Sequence, residues 1–421
     1  MNTKYEWYNQ AKFGIMITWG GFSVYGKGEN VQFNERIPVP EYQNRLSHFK
    51  PDNFSPVSWV RFAKENGMNY IIMTARHVDG YCLFNSKVNE FNSLNYGPGK
   101  DLVREFVDAC KAENMRFGFF FSLADTRSTA YLQGPEINRT RWDEYVASQH
   151  LQIKELLSNY GGIDIIWYDT GWPYHELRDI SDYWYGGCWP HKPEDWKRDE
   201  LNEMIKGIYP DIIIQSQLTV DGYPLGGTIN KSAREFGNKW PEYYGYGEGG
   251  WGETAMTLNA SWGYNKSDKH WKSPEEIIKN WMFRGGTYNG GMNYLLNIAP
   301  DENGNIPREA QNILNEFGGW MKRNSGALMN TKPYSFPPFG RIYFDDSSNK
   351  SYCFFLNWPE NGKAELCTGG FGAGDIKQIY FLHDNAPVKY SVLEERIILL
   401  YDLPKKSPEK YCSVIVIEFE K

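Results

Sequence analysis

Along the first three quarters of the chain, short apolar runs take turns with segments that are apolar on one face only. Residues 13–19, 69–74, 116–122, 163–168, 211–215, 255–258 and 292–298 are the runs. They are apolar nearly throughout rather than alternating, which predicts strands buried on both faces of a parallel sheet. Residues 55–66, 101–115, 142–160, 195–208, 274–283 and 307–322 predict the intervening helices. In the second of these, Leu102, Phe106, Val107 and Cys110 repeat with helical period and mark the buried face. Punctuation agrees in the first: Ser55 can cap it, Pro56 fits its first turn and Gly67 can end it. Six or seven such units over about 330 residues predict a closed β/α barrel of the TIM type rather than an open sheet.

Near Pro333 the pattern changes. Residues 341–344, 351–356, 378–382, 396–401 and 413–419 predict strands separated by turns, with no helix between them. That is the pattern of a small antiparallel β-sandwich. The expected domains are a catalytic β/α barrel over residues 1–333 and a C-terminal β-sandwich over residues 334–421.

Composition narrows the chemistry. The 16 Trp, 29 Tyr and 24 Phe fit a large aromatic core and equally a sugar site, since the C–H faces of sugars stack on rings. The net charge is −7 and no basic block occurs, which argues against nucleic acid and polyanionic polysaccharide as partners. Six scattered cysteines lack metal-finger or CxxC spacing and read as small buried hydrophobes, not a disulfide framework. A cytoplasmic protein is expected on that ground, with a periplasmic or secreted one left open if a signal peptide has been removed. No run approaches a membrane span, and no cluster has metal-ligand spacing, so neither membrane, metal nor cofactor is expected.

Barrel chemistry sits where strands end. The first run ends in Thr18-Trp19-Gly20, the second in Arg76-His77-Val78-Asp79-Gly80, the fourth in Trp167-Tyr168-Asp169. Asp169 follows an apolar run, where a carboxylate is costly unless it caps a helix or does chemistry. Glycoside hydrolysis needs two carboxyl groups, one to attack or activate water and one to protonate the leaving oxygen. Glu235, Glu242, Glu248 and Glu253, in the aromatic stretch after the fifth run, are candidates for the second.

The segments Lys12-Phe13-Gly14-Ile15-Met16-Ile17-Thr18-Trp19-Gly20, Arg76-His77-Val78-Asp79-Gly80, Asp164-Ile165-Ile166-Trp167-Tyr168-Asp169, Ser261-Trp262-Gly263-Tyr264-Asn265 and Asn293-Tyr294-Leu295-Leu296-Asn297-Ile298 resemble, in order, glycoside hydrolase family 29, the α-L-fucosidases. The resemblance runs from about Trp7 to Pro333. It implies a retaining exo-glycosidase acting on terminal α-linked L-sugars of oligosaccharides or other glycosides, on a barrel followed by a sandwich. It places the nucleophile at Asp169 and sugar contacts at His77 and Trp167, with Trp19 and Trp262 as further substrate-binding candidates. The Lys239-Trp240-Pro241-Glu242-Tyr243 element looks most like the family's acid/base segment, so Glu242 is the expected acid/base, with Glu235 and Glu253 as alternatives. Four departures stand out. Thr18, before Trp19, replaces a histidine; Val78 replaces the second of paired histidines; Asn30 and Val31 stand for a Glu-Trp pair; Gln217 stands for an arginine. All concern hydroxyl recognition. L-Fucose, L-glucose and L-galactose are therefore all candidate sugars, an α-L-glucosidase with little fucosidase activity is the nearest alternative, and an inactive carbohydrate-binding barrel is the rival from another class. Residues 243–250 could complete a neighbour's site in a homo-oligomer.

Overall fold

The structure is a computed structural model. It describes residues 6–169, 194–216, 219–220, 223–224, 233–236, 253–280, 293–329, 331–335, 337–345, 347–368 and 371–420. The chain forms two compact units, one of residues 1–6, 13–271 and 294–311, the other of residues 7–12, 272–293 and 312–421.

The first unit carries an eight-stranded sheet: β1 (Phe13–Ile17), β2 (Tyr70–Arg76), β3 (Arg116–Ser122), β4 (Ile165–Asp169), β5 (Ile213–Ser216), β6 (Ala233–Phe236), β7 (Glu253–Thr257) and β8 (Asn293–Ile298). Their order is β5-β4-β3-β2-β1-β8-β7-β6, the cyclic order of a β/α barrel. The ladders β8–β1, β1–β2, β2–β3, β3–β4, β4–β5 and β6–β7 are all parallel. Every residue of β1, β2, β4 and β8 is buried, as the unbroken apolar runs predicted. The helix Leu102–Ala112 starts where Asp101 accepts the Arg104 backbone N–H. Ser55 stands at the N-cap of the helix Pro56–Glu65 without capping it, because its hydroxyl meets that of Ser58 instead. β6 was not expected from sequence: Arg234 and Glu235 interrupt any apolar pattern there.

The second unit holds an antiparallel sandwich. Its strands are β9 (Lys332–Ser335), β10 (Gly340–Asp345), β11 (Lys350–Phe355), β12 (Ala364–Cys367), β13 (Ile376–Phe381), β14 (Lys389–Glu394), β15 (Ile397–Tyr401) and β16 (Ser413–Phe419). They form sheets β9-β10-β11-β16-β13 and β12-β15-β14. Alternate residues of the two sheets meet in one core: Ile342, Phe355, Ile379, Ile415 and Ile417 from one, Leu366, Ile398 and Leu400 from the other. Among the described residues, five cysteines are free thiols and no helix is long and apolar enough to cross a membrane.

Candidate active site

Side-chain alternation fixes what the barrel holds at its mouth. On β4, Tyr168 reaches outward, where its hydroxyl donates to Asn202 on the helix Arg198–Ile208 at 2.9 Å. Trp167 and Asp169 therefore share the inward face. Asp169 closes the strand opposite Ser122 and is 7% exposed. Its carbonyl accepts the Leu123 N–H at 2.7 Å, so the chain leaving β3 is tied to the end of β4.

His77 would face away from this lumen if β2 were regular. A register shift between Thr74 and Arg76, where the ladder to β3 skips one residue, re-aims it. Its ring then stacks on Phe120 at 5.2 Å and meets the edge of Phe22 at 5.6 Å. Phe120 in turn packs on Trp167 at 5.6 Å. Burial, with Arg76 adding to it, pushes His77 down to about 3, so the ring is neutral at any working pH. No described residue bonds its Nδ1.

Beneath the turn after β2 lies a charged network. Arg76 donates to Asp125 at 2.8 Å and to the carbonyls of Ser122 and Ala124. Arg127 shares that Asp125 oxygen at 2.8 Å and donates to the other one at 3.1 Å. Burial alone would raise the Asp125 carboxyl, but Arg127 and Arg76 outweigh it and hold it below its ordinary value. Asp79 accepts the Tyr42 hydroxyl at 2.7 Å, and burial lifts it to about 6 despite that bond. These contacts lock the Arg76–Gly80 turn against the turn after β3.

On the β1 side, the Thr18 hydroxyl donates to Asn297 Oδ1 at 2.6 Å, and the Asn297 amide donates to the Trp262 carbonyl at 2.8 Å. Asn297 thus joins the ends of β1 and β8 to the loop after β7. Glu29 makes a second tie: its carboxylate accepts the Gly263 N–H at 2.7 Å and the Asn30 amide at 2.7 Å. Burial raises the Glu29 carboxyl, against backbone bonds from Glu29 and Gly263 that lower it. A polar cleft of about 430 Å³ opens here, lined by Glu29, Asn30, Asn34, Ser261, Asn265 and Asp268 among others.

The structure thus brings Asp169, His77, Trp167 and Thr18 to one end of the barrel and ties Trp262 to it. Trp19 packs elsewhere. It is fully buried, stacked on Phe54 at 5.0 Å, with its indole donating to the Asp301 carbonyl at 2.8 Å. Val31 is also fully buried, and Val78 nearly so, with its carbonyl held by Thr126. Glu253 lies inside the barrel with no exposed surface. Glu235 belongs to β6, in register with Ala255. Glu242, Glu248 and Gln217 lie outside the described residues. Sequence reasoning missed Phe120, Asn297 and Glu29. Asn297 had a signal, a polar residue near the end of an apolar barrel strand; Phe120, in a run of phenylalanines, had none.

Residues 2–326 match the family described as alpha-L-fucosidase. Tissue alpha-L-fucosidase of Rattus norvegicus is 26% identical over 391 residues, spanning 86% of this chain and 78% of that protein. The structure of alpha-L-fucosidase isoenzyme 1 from Paenibacillus thiaminolyticus matches with a TM-score of 0.83 and 28% identity, over 99% of both chains. An alpha-L-fucosidase from Bacteroides thetaiotaomicron, solved as a trapped covalent intermediate with 2-fluoro-fucosyl fluoride, matches with a TM-score of 0.83 at 20% identity, over 100% of this chain and 97% of that one.

Proposed function

The chain belongs to the α-L-fucosidase family of glycoside hydrolases, and from that premise we propose a retaining exo-enzyme in which Asp169 is the nucleophile. The observation that supports this most is the place of Asp169: the inward-facing, nearly buried end of β4, above Trp167 and on the same barrel mouth as a neutral His77. In the first step the Asp169 carboxylate attacks the anomeric carbon, the glycosidic bond breaks, and the acid/base carboxyl gives its proton to the departing oxygen. In the second, that group takes a proton from water as water attacks the glycosyl-enzyme, releasing the sugar with retention. A covalent intermediate trapped in the Bacteroides thetaiotaomicron relative is in keeping with this route. Glu242 is the proposed acid/base and Glu235 the alternative; the competent pair should sit about 5–5.5 Å apart.

For the sugar, we propose terminal α-L-fucose or a fucose-like L-sugar. One observation favours keeping L-glucose and L-galactose in view: the single Thr18 hydroxyl proton is spent on Asn297, so it is no donor for a sugar hydroxyl. A site built to bond a hydroxyl discriminates by about 10⁴-fold or more against sugars lacking it, so lost donors should shift the preference. Hydrolysis of p-nitrophenyl α-L-fucoside, glucoside, galactoside and rhamnoside tests the reading. A dominant fucoside rate supports a fucosidase; a dominant glucoside or galactoside rate means the departures have redefined the subsite. No hydrolysis at all, with azide failing to rescue Asp169→Gly, means a sugar-binding barrel.

A further inference from the structure

Glu253 opens β7 and has no exposed surface, yet both its oxygens are used. One accepts the Trp167 indole N–H at 3.0 Å and the other the Tyr70 hydroxyl. Trp167 is on β4 and Tyr70 on β2, neither adjacent to β7 in the sheet, so all three side chains meet across the barrel interior. Space for this is built into β1. A Cβ at Gly14 would lie 2.2 Å from the Tyr70 ring, so glycine there admits the tyrosine.

We propose that Glu253 is a positioning residue for catalysis: it anchors the Trp167 indole and, through it, the inner wall on which Asp169 and His77 stand. The proposal rests on Asp169 being the nucleophile. Trp167 sits two residues before Asp169 on the same face of β4. Its other flank packs on Phe120, which carries the His77 ring. Pinning its N–H restrains the indole and, through Phe120, the His77 ring. Two convergent donors call for an acceptor-only group, which a carboxylate supplies. A group enclosed in this way has no path to a leaving oxygen, so it is not the acid/base.

Glu253→Gln keeps the shape but offers one acceptor and an NH₂ group, leaving one of the two donors unmatched. Displacements of an ångström near a reacting pair cost up to about 100-fold in rate. The expected result is a kcat 10- to 100-fold lower with KM changed less than about threefold, and the same factor for good and poor aryl leaving groups. The pH profile should keep its shape, and azide should not rescue the variant. Trp167→Phe should lose a similar factor, and the double variant little more than either, because both act through one contact. The inference is overturned by a loss that grows with leaving-group pKa and is rescued by azide, which would make Glu253 the acid/base. Unchanged kinetics, or fully additive losses, overturn it too. Should Glu253→Gln fail to fold by circular dichroism, Tyr70→Phe removes one donor only: a uniform severalfold loss supports the proposal and an unchanged rate refutes it. Asp169→Asn is assayed alongside. Activity retained there would sink the catalytic reading itself, whatever Glu253 does.

Discussion

His77 should make the barrel acid-sensitive by an amount that can be worked out. Its ring lies between Phe120 and Phe22, and burial with Arg76 nearby pushes it down to about 3 from the ordinary 6.5. The folded state therefore favours the neutral ring. That contribution is fully present above pH 6.5 and is lost as pH falls toward 3, because the unfolded chain takes up a proton that the folded chain refuses. At about 1.4 kcal/mol per pH unit, lowering the pH from 7.5 to 4.5 should cost the wild type about 3 kcal/mol through this group. His77→Phe keeps an aromatic ring in the stack and removes the titration. The assay is urea unfolding of both proteins at the two pH values, followed by tryptophan fluorescence. The variant should lose about 3 kcal/mol less than the wild type on acidification. Equal losses would refute the claim that His77 is held neutral.

Asp125→Asn should destabilise by about 3–5 kcal/mol in the same assay at pH 7.5, since it removes the ion-pair partner of the buried Arg76 guanidinium; a loss below about 1 kcal/mol would contradict the network. Thr18→Val should cost about 1–3 kcal/mol by leaving the Asn297 oxygen without its hydroxyl donor, and an unchanged unfolding midpoint would count against that bond. Tyr168→Phe should leave kcat/KM within about twofold although it neighbours the proposed nucleophile, because Tyr168 faces the helix Arg198–Ile208 and not the lumen; a large kinetic loss would mean that the inward face has been misassigned.

The barrel was legible because its strands are buried on both faces, so a run such as residues 116–122 announces itself without regard to partners. The helix 102–112 was legible from the period of its buried face. β6, β9, β12 and β14 were not. Ala364–Cys367 carries a single buried pair, and Lys389–Glu394 is exposed along most of its length, so neither prints a pattern. The place of Asp169 could be read from position alone, as a carboxylate closing an apolar strand. The inward turn of His77 could not, since it depends on a register shift that only the β2–β3 pairing reveals. Trp19 shows the opposite failure. An indole beside a strand end reads as a sugar platform, whereas its Phe54, Trp59 and Asp301 partners come from distant segments and make it core. Glu253 in sequence is one of several loop glutamates, and only the barrel closes Tyr70 and Trp167 around it.

The most direct test of the catalytic account is to incubate the protein with 2-fluoro-fucosyl fluoride and map the adduct by peptide mass spectrometry. The account predicts one fluorosugar per chain, on the peptide that contains Asp169, and no labelling of Asp169→Asn. A stable adduct on another carboxylate, or steady hydrolysis with inversion at the anomeric carbon, would contradict it.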